Sequence, residues 1–254
     1  MPVPNWWDTG WWAVGGGAAW VCFALWSRAL LNNPRRDVEG GLAIFGMKAY
    51  SRLVHRLHVR GRGNRPSISE AGPLIVVANH TAGIDPILLQ AVCPFEIRFM
   101  MAEDMQVPEL AKVWAWTRVI PVIRTTMEGG VGAGAGGGGR RKGSDARAAL
   151  VALRHLKGGG VLGVFPEGGI ARPPGQLMPF LPGVGFLVKR SGAPVLPAVI
   201  TGTPEAKTAW GSFFKPSRSV VEFLPLVHPA ADATPEQIAE DLQARFRGAL
   251  ERLA

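Results

Sequence analysis

The chain has 254 residues, a hydrophobic fraction of 47% and a formal net charge of +9. This length supports one sizeable core, or one domain with an appendage. The charge suits anionic lipids, phosphorylated or CoA-bearing substrates, or nucleic acid, but no zinc-ligand spacing or recognition-helix pattern supports nucleic-acid binding. Cys22, Cys93 and the histidines lack metal-ligand spacing, so we expect neither a disulfide framework nor a metal.

The N-terminal segment combines an uncharged run with many tryptophans. The run from Trp11 to Ser27 is close to the lower limit of about 17 apolar residues for a membrane span. Tryptophans at the start of the run are typical of the membrane–water interface. The arginines after it, Arg28, Arg35 and Arg36, are typical of the cytoplasmic side of a membrane helix. We predict a membrane helix, spanning or half-inserted. A tryptophan-rich helix packed on the core is the alternative.

A second helix is predicted over residues 41–59. Its apolar residues recur mostly at three- and four-residue spacing, and Lys48, Arg52 and Arg56 recur every four residues. An amphipathic basic helix is typical of a membrane interface. An ordinary surface helix with a solvated basic face explains the pattern equally well.

The rest of the chain alternates strand and helix signals. Predicted strands cover residues 57–60, 74–78, 97–101, 119–123, 161–165, 195–200 and 219–223. Predicted helices cover residues 86–92, 108–117, 145–157, 183–191 and 235–253. This order predicts an α/β fold, with a mixed, largely parallel sheet flanked by helices. We assign residues 1–58 to membrane-anchoring helices and residues 59–254 to the α/β domain.

Residues 129–143 interrupt the alternation with a glycine-rich run of low complexity. The match Gly132-x-Gly134-x-x-Gly137 lacks the strand and helix context of a dinucleotide fingerprint. A Walker loop is excluded because glycine, not serine or threonine, follows Lys142. We therefore predict a flexible insertion within the α/β domain.

A histidine and an aspartate follow the predicted strand 74–78. Five positions separate His80 from Asp85, about 500° on a helix, so the two side chains would not share a helix face. They meet if His80 lies on a loop and Asp85 caps the next helix, which Pro86 at the first helical position favours. The carboxylate would then fix the imidazole tautomer and leave the other nitrogen free to accept a hydroxyl proton. A capping aspartate beside an ordinary loop histidine is the alternative.

A glutamate follows the predicted strand 161–165. Glu167 precedes Gly168 and Gly169, which places a carboxylate and exposed backbone N–H groups where a ligand can approach closely. A plain strand-to-turn junction explains the same residues. A serine hydrolase would need a Gly-x-Ser-x-Gly elbow, which the sequence lacks.

Four blocks resemble the glycerolipid acyltransferases typified by lysophosphatidic-acid acyltransferases. The blocks are Asn79-His80-x4-Asp85, Arg118 to Arg124, Phe165-Pro166-Glu167-Gly168 and Val195 to Ile200. Each block alone is a weak signal, but together they keep the family's order over residues 74–200. Where the family usually has Thr-Arg after Phe-Pro-Glu-Gly, this chain has Gly169-Ile170, and the nearest arginine is Arg172.

The resemblance implies an O-acyltransferase that needs no cofactor and takes acyl-CoA or acyl-carrier protein as donor. It implies His80 and Asp85 as catalytic residues. The implied substrate-binding residues are Asn79, Arg124, Glu167, Gly168, Gly169 and Arg172. Because the family's displaced arginine is associated with the acceptor phosphate, the acceptor stays open between lysophosphatidate, another lysophospholipid and a lyso-amino-acid lipid.

The resemblance and the N-terminal segment together imply action on membrane lipids, with the catalytic domain on the cytoplasmic face of the cell membrane. A nonenzymatic membrane scaffold would explain the N-terminus and the charge. It would not explain why the His80/Asp85 and Glu167 blocks recur at the family's spacing. The oligomeric state stays open.

Overall fold

The computed structural model describes residues 6–67, 70, 72–122, 138–172 and 175–253, without the side chains of residues 6–12 and 138–145. The helices are α1 (Trp6–Leu31), α2 (Val38–Leu53), α3 (Asp85–Val92), α4 (Ala111–Thr117), α5 (Gly138–Lys157), α6 (Gly183–Ser191) and α7 (Pro235–Leu253). The strands are β1 (His58–Arg60), β2 (Leu74–Ala78), β3 (Ile97–Ala102), β4 (Ile120–Val122), β5 (Val161–Val164), β6 (Val195–Thr201) and β7 (Val220–Phe223). Short 3₁₀ turns cover Arg62–Asn64, Glu103–Met105, Pro108–Leu110 and Trp210–Phe214.

The strands form one seven-stranded sheet in the order β1-β7-β6-β2-β5-β3-β4. Strands β2 to β6 run parallel, β7 pairs antiparallel with β6, and β1 runs parallel to β7. The central strands β2 and β5 are buried along their whole length, as expected for parallel strands that helices cover on both faces. The predicted mixed, largely parallel α/β fold is confirmed.

Alternate residues of β2 face two separate hydrophobic cores. Ile75 and Val77 pack with α5, α6 and α7, whereas Leu74, Val76 and Ala78 pack on the side of α3. The helices that follow β2 and β5 therefore lie on opposite faces, although the two strands are neighbours. This divergence marks a topological switch point at the carboxyl ends of the strands, the position where open α/β sheets bind ligands in a crevice.

Several predicted helix boundaries were wrong, and two of them differ by more than one helical turn. Helix α2 ends at Leu53 rather than at residue 59, because the chain turns and His58 begins the edge strand that pairs with β7. Helix α5 begins at Gly138 rather than at residue 145, so the end of the predicted flexible insertion is helical. The rest of the insertion, up to residue 137, lies outside the described residues.

Helix α1 exposes large apolar side chains, including Trp20, Phe23 and Trp26. In the described part of the chain, Ala13–Leu31 is the one helical stretch long and apolar enough to cross a membrane, judged by length and composition alone. The predicted apolar stripe of α2 is exposed as well at Leu42, Phe45 and Leu53, beside basic residues. These α2 residues therefore do not pack on the core as those of an ordinary surface helix would.

The junction between α1 and α2 is fastened to the α/β domain through Arg35. Its Nε donates to Glu96 Oε1 at 2.9 Å, and its Nη2 donates to the Trp116 carbonyl at 2.7 Å. The guanidinium carbon also lies 3.7 Å from the centre of the Trp116 ring. Bidentate and stacked contacts of this kind hold an arginine in one geometry, so the helices keep a defined position on the domain.

Candidate active site

The predicted histidine and aspartate meet at the end of β2. His80 Nδ1 lies 2.9 Å from Asp85 Oδ2, and the Asp85 side chain is fully buried. A carboxylate acceptor at Nδ1 assigns the proton to that nitrogen, which leaves Nε2 with its lone pair. No described residue hydrogen-bonds Nε2, and the His80 side chain is 16% exposed. The imidazole is therefore arranged as a general base.

Asp85 does not cap α3, contrary to the sequence prediction. It is the first residue of the helix, and Ile84 is the N-cap. Its Oδ2 instead accepts the backbone N–H groups of Thr81 at 2.7 Å and Ala82 at 2.9 Å. The loop after His80 curls back before the helix begins, so its own amides reach the carboxylate first. Asp85 consequently organises the loop as well as the imidazole.

Two threonines extend this polar group and were missed by the sequence analysis. Thr203 Oγ1 donates to Thr81 Oγ1 at 2.8 Å, and Thr81 Oγ1 lies 3.3 Å from Asp85 Oδ1. Thr203 follows β6, which neighbours β2 in the sheet. Thr81 could have been noticed from its place beside His80, but no local signal identifies a partner 122 positions away.

Glu167 lies after β5 and holds the backbone of His80. Its Oε1 accepts the His80 N–H at 2.7 Å, and its Oε2 accepts the Met178 N–H at 2.9 Å. Burial raises the pKa of the Glu167 carboxyl, and the hydrogen bonds from His80 and Met178 oppose that rise. Glu167 was expected to bind substrate, but both of its carboxyl oxygens are paired with backbone N–H groups, so the geometry favours a role in ordering the site.

Phe165 stacks on the imidazole of His80. The two ring centres are 4.2 Å apart at an interplanar angle of 20°, and Phe99 stacks behind Phe165 at 5.9 Å. The aromatic face restricts the imidazole rotamer and favours a positive charge on the ring once it is protonated. Phe165 was predicted as the end of a strand and as the start of the block that contains Glu167, but no role in the site was predicted for it.

Asn79 was expected to bind substrate, but its side-chain amide is hydrogen-bonded to the backbone of β6. The amide Nδ2 donates to Ile200 O at 2.9 Å, and Oδ1 accepts from Ile200 N at 2.7 Å. The side chain is also buried. Asn79 therefore joins the end of β2 to β6, a role that the sequence does not reveal because Ile200 is 121 positions away.

The two glycines after Glu167 differ in their hydrogen bonding. Gly168 has a φ of +71°, a conformation that favours glycine, and its N–H donates to Phe165 O at 3.1 Å. That amide is not available to a reacting oxygen. Gly169 is half-buried, and its N–H finds no acceptor in the part of the chain that the structure describes. Gly169 is the better candidate of the two for an oxyanion donor.

Arg172 lies close to the histidine loop. Ala171 N–H donates to His80 O at 2.8 Å, so the chain just before Arg172 runs beside the base. Arg172 is exposed, and its Nη1 donates to Ala206 O at 2.6 Å. Arg124, the other arginine expected to bind substrate, lies outside the described residues.

The fold and the pair of His80 and Asp85 are those of an α/β protein with a candidate general base at the carboxyl end of a central strand. Residues 56–201 match the protein family described as Acyltransferase, and this stretch contains both residues as well as Glu167. The match covers more than half of the chain, so the protein belongs to the acyltransferase family and is an acyltransferase.

A solved structure shares this fold. It is the crystal structure of the 1-acyl-sn-glycerophosphate (LPA) acyltransferase PlsC from Thermotoga maritima, with a TM-score of 0.65 and 21% sequence identity. The similarity covers 92% of this chain and 88% of that chain. Comparison with curated proteins gave no significant match.

The ordering role of Glu167 predicts a graded response to substitution. We expect Glu167→Gln to retain part of the activity, because its amide oxygen can still accept one of the two backbone N–H groups. Glu167→Ala leaves both donors without their acceptor, at a cost of about 1–3 kcal/mol for each that stays buried. Thermal melts and kinetic constants for both variants test this. A raised acceptor KM at unchanged melting temperature and kcat would instead indicate that Glu167 binds the acceptor.

Proposed function

We propose that the protein transfers a fatty acyl group from acyl-CoA or acyl-carrier protein to a hydroxyl of a lysolipid at the cytoplasmic face of the cell membrane. The observation that carries this proposal is the imidazole of His80, whose Nδ1 is held by buried Asp85 while no described residue hydrogen-bonds its Nε2. The exposed apolar side chains of α1 and α2 support a membrane-borne acceptor.

In the proposed reaction, His80 Nε2 takes the proton from the acceptor hydroxyl while its oxygen attacks the thioester carbonyl. The new C–O bond forms as the carbonyl electrons move to oxygen, and the N–H of Gly169 is the candidate donor to that oxyanion. Collapse breaks the C–S bond, and the departing thiolate takes the proton from His80. Asp85 stabilises the imidazolium between these steps. No acyl-enzyme is needed, and no serine or cysteine side chain among the described residues hydrogen-bonds His80.

The primary test is a balanced assay of both products. Purified protein in vesicles is given acyl-CoA or acyl-carrier protein with a panel of lysophosphatidate, other lysophospholipids and lyso-amino-acid lipids. Equal amounts of released thiol and newly acylated lipid support the proposal, and the panel identifies the acceptor. Thiol release without acylated lipid would indicate a thioesterase, and no turnover with any pair would favour a scaffold.

In this proposal, Arg124 and Arg172 contact the headgroup of the acceptor lipid. For an anionic acceptor, we expect Arg124→Ala and Arg172→Ala each to raise the acceptor KM far more than the donor KM, because a headgroup loses its cation while the thioester keeps its contacts. Arg247→Ala is the matched control, since Arg247 is exposed on α7, on the opposite face of the sheet from α3. Unchanged acceptor and donor constants would make the substituted arginine structural.

A further inference from the structure

The turn Trp210–Phe214 holds a phenylalanine out into solvent. Phe214 is 85% exposed, whereas Ser212 is buried and Phe213 packs against the core on the side of α3. Trp210 stacks on Phe213 with ring centres 5.5 Å apart and also contacts Trp114. Three anchored residues therefore support one exposed aromatic ring, so its exposure does not result from a loose loop.

This turn lies against the end of α2. The Tyr50 hydroxyl donates to Phe213 O, and Ser217 N–H donates to Val54 O at 3.2 Å. Leu53, which precedes Val54, is 78% exposed. The end of α2 and the turn thus present neighbouring apolar side chains that no described residue covers.

The charged side chains nearest to Leu53 and Phe214 in the sequence are basic. They are the exposed residues Arg52, Arg56, Lys215 and Arg218, and the Lys215 ammonium donates to the backbone carbonyl of Glu205 at 3.0 Å. Neither residues 40–69 nor residues 206–221 contain an aspartate or glutamate. Protruding apolar groups among cations are the features with which proteins bind an anionic membrane surface.

We propose that Leu53, Phe214 and the four basic residues around them form a second membrane-contact surface, whose partner is an anionic lipid bilayer. We call it the 53/214 surface. It continues the exposed stripe of Leu42 and Phe45 along α2, which follows the candidate membrane span of α1. The bilayer contact therefore extends from the N-terminal helices onto the domain that carries the catalytic residues.

The 53/214 surface is joined directly to the histidine loop. Gly83, between His80 and Asp85, packs so closely on the turn that an added Cβ would lie 2.3 Å from Ala209 O. Ala209 is the N-cap of the turn. Lipid contact at Phe214 thus places the crevice at the bilayer surface, where an acceptor lipid can reach His80 without leaving the membrane. This last step rests on the proposed function, whereas the lipid contact itself does not.

Depth-dependent quenching tests the contact on the full chain. A fluorophore is attached at Phe214→Cys in a Cys22→Ser background, and the protein is placed in phosphatidylcholine–phosphatidylglycerol vesicles containing doxyl-labelled lipid. Cys93 stays unlabelled because it is buried, and burial raises its thiol pKa to about 12. The matched control label is at Ala244→Cys, an exposed position on α7. We expect severalfold stronger quenching at 214 than at 244. Equal quenching overturns the proposal and leaves a protein as the occupant.

A second experiment tests the basic residues by activity. Lys215→Ala and Arg218→Ala should each lower turnover of a vesicle-borne acceptor by about fivefold at low salt, with no change for acceptor dispersed in neutral detergent. High salt should remove the difference between the variants and the native protein. Equal losses in vesicles and detergent would overturn the lipid role of these cations. Quenching at 214 without any acyl transfer would refute the proposed function and leave the lipid contact standing.

Discussion

His80→Ala is expected to lower kcat by about 10² to 10⁴, the usual contribution of general-base catalysis. Asp85 Oδ2 loses the imidazole donor but keeps the backbone N–H groups of Thr81 and Ala82, and the stacking contact with Phe165 is lost. We expect a folded protein with a modestly lower melting temperature, unchanged membrane association and a large loss of turnover. His228→Ala is the matched control, because His228 is an exposed histidine distant in sequence from the site. Near-native turnover by folded His80→Ala would remove His80 from the mechanism.

Asp85→Asn tests whether the Asp85 carboxylate both orders the loop after His80 and supports the imidazole. An amide oxygen can still accept hydrogen bonds, but it cannot serve the imidazole, the Thr81 hydroxyl and the two backbone N–H groups as the carboxylate does, and it does not stabilise an imidazolium as a carboxylate does. We expect kcat and melting temperature to fall together in Asp85→Asn. A drop in kcat without a drop in melting temperature would show that the loop folds independently of Asp85.

Removal of α1 is expected to abolish most turnover of a membrane-borne acceptor. A chain that begins at Asn32 keeps α2, β1 and Arg35, and it loses the exposed apolar helix. It should retain activity toward acceptor dispersed in detergent, because the contacts of Arg35 with Glu96 and Trp116 are preserved. A deletion up to Gly61 would be less informative, since it also removes β1 and uncovers the edge of β7.

Extraction from membranes tests whether α1 is inserted in the bilayer in the intact protein. The full-length protein should resist both high salt and alkaline carbonate, because apolar burial rather than charge holds an inserted helix. The chain beginning at Asn32 should be released by either treatment. Complete release of the full-length protein would show that α1 lies on the surface of the membrane and is not inserted.

The sequence predicted the elements that rest on local signals. The strand over residues 74–78 and the helices over 183–191 and 235–253 agree with β2, α6 and α7 at both ends. Apolar runs between turn residues mark such strands, and threonine before Pro235 marks a helix start. The start of α5 was not predictable in this way, because glycines have poor helix propensity and give no local signal for a helix.

The site was predictable as a set of motifs but not as a set of roles. The meeting of His80 with Asp85 followed from their spacing after a strand. The partners of Asn79 and Glu167 did not, because their side chains bind backbone groups brought near by the sheet order rather than by sequence. A polar residue in a motif can therefore hold the catalytic group in place without touching substrate.

The hydrogen bonds that Asp85 Oδ2 accepts from backbone N–H groups have a consequence for relatives that lose activity. A descendant without a catalytic role could replace His80 and lose one donor to Asp85 and one stacking contact with Phe165, while the backbone N–H groups of the loop keep their acceptor. Replacement of Asp85 would also leave the buried backbone N–H groups of Thr81 and Ala82 without an acceptor. Under mutational drift the aspartate should therefore outlast the histidine, and inactive relatives should be recognisable by an isolated aspartate after the strand.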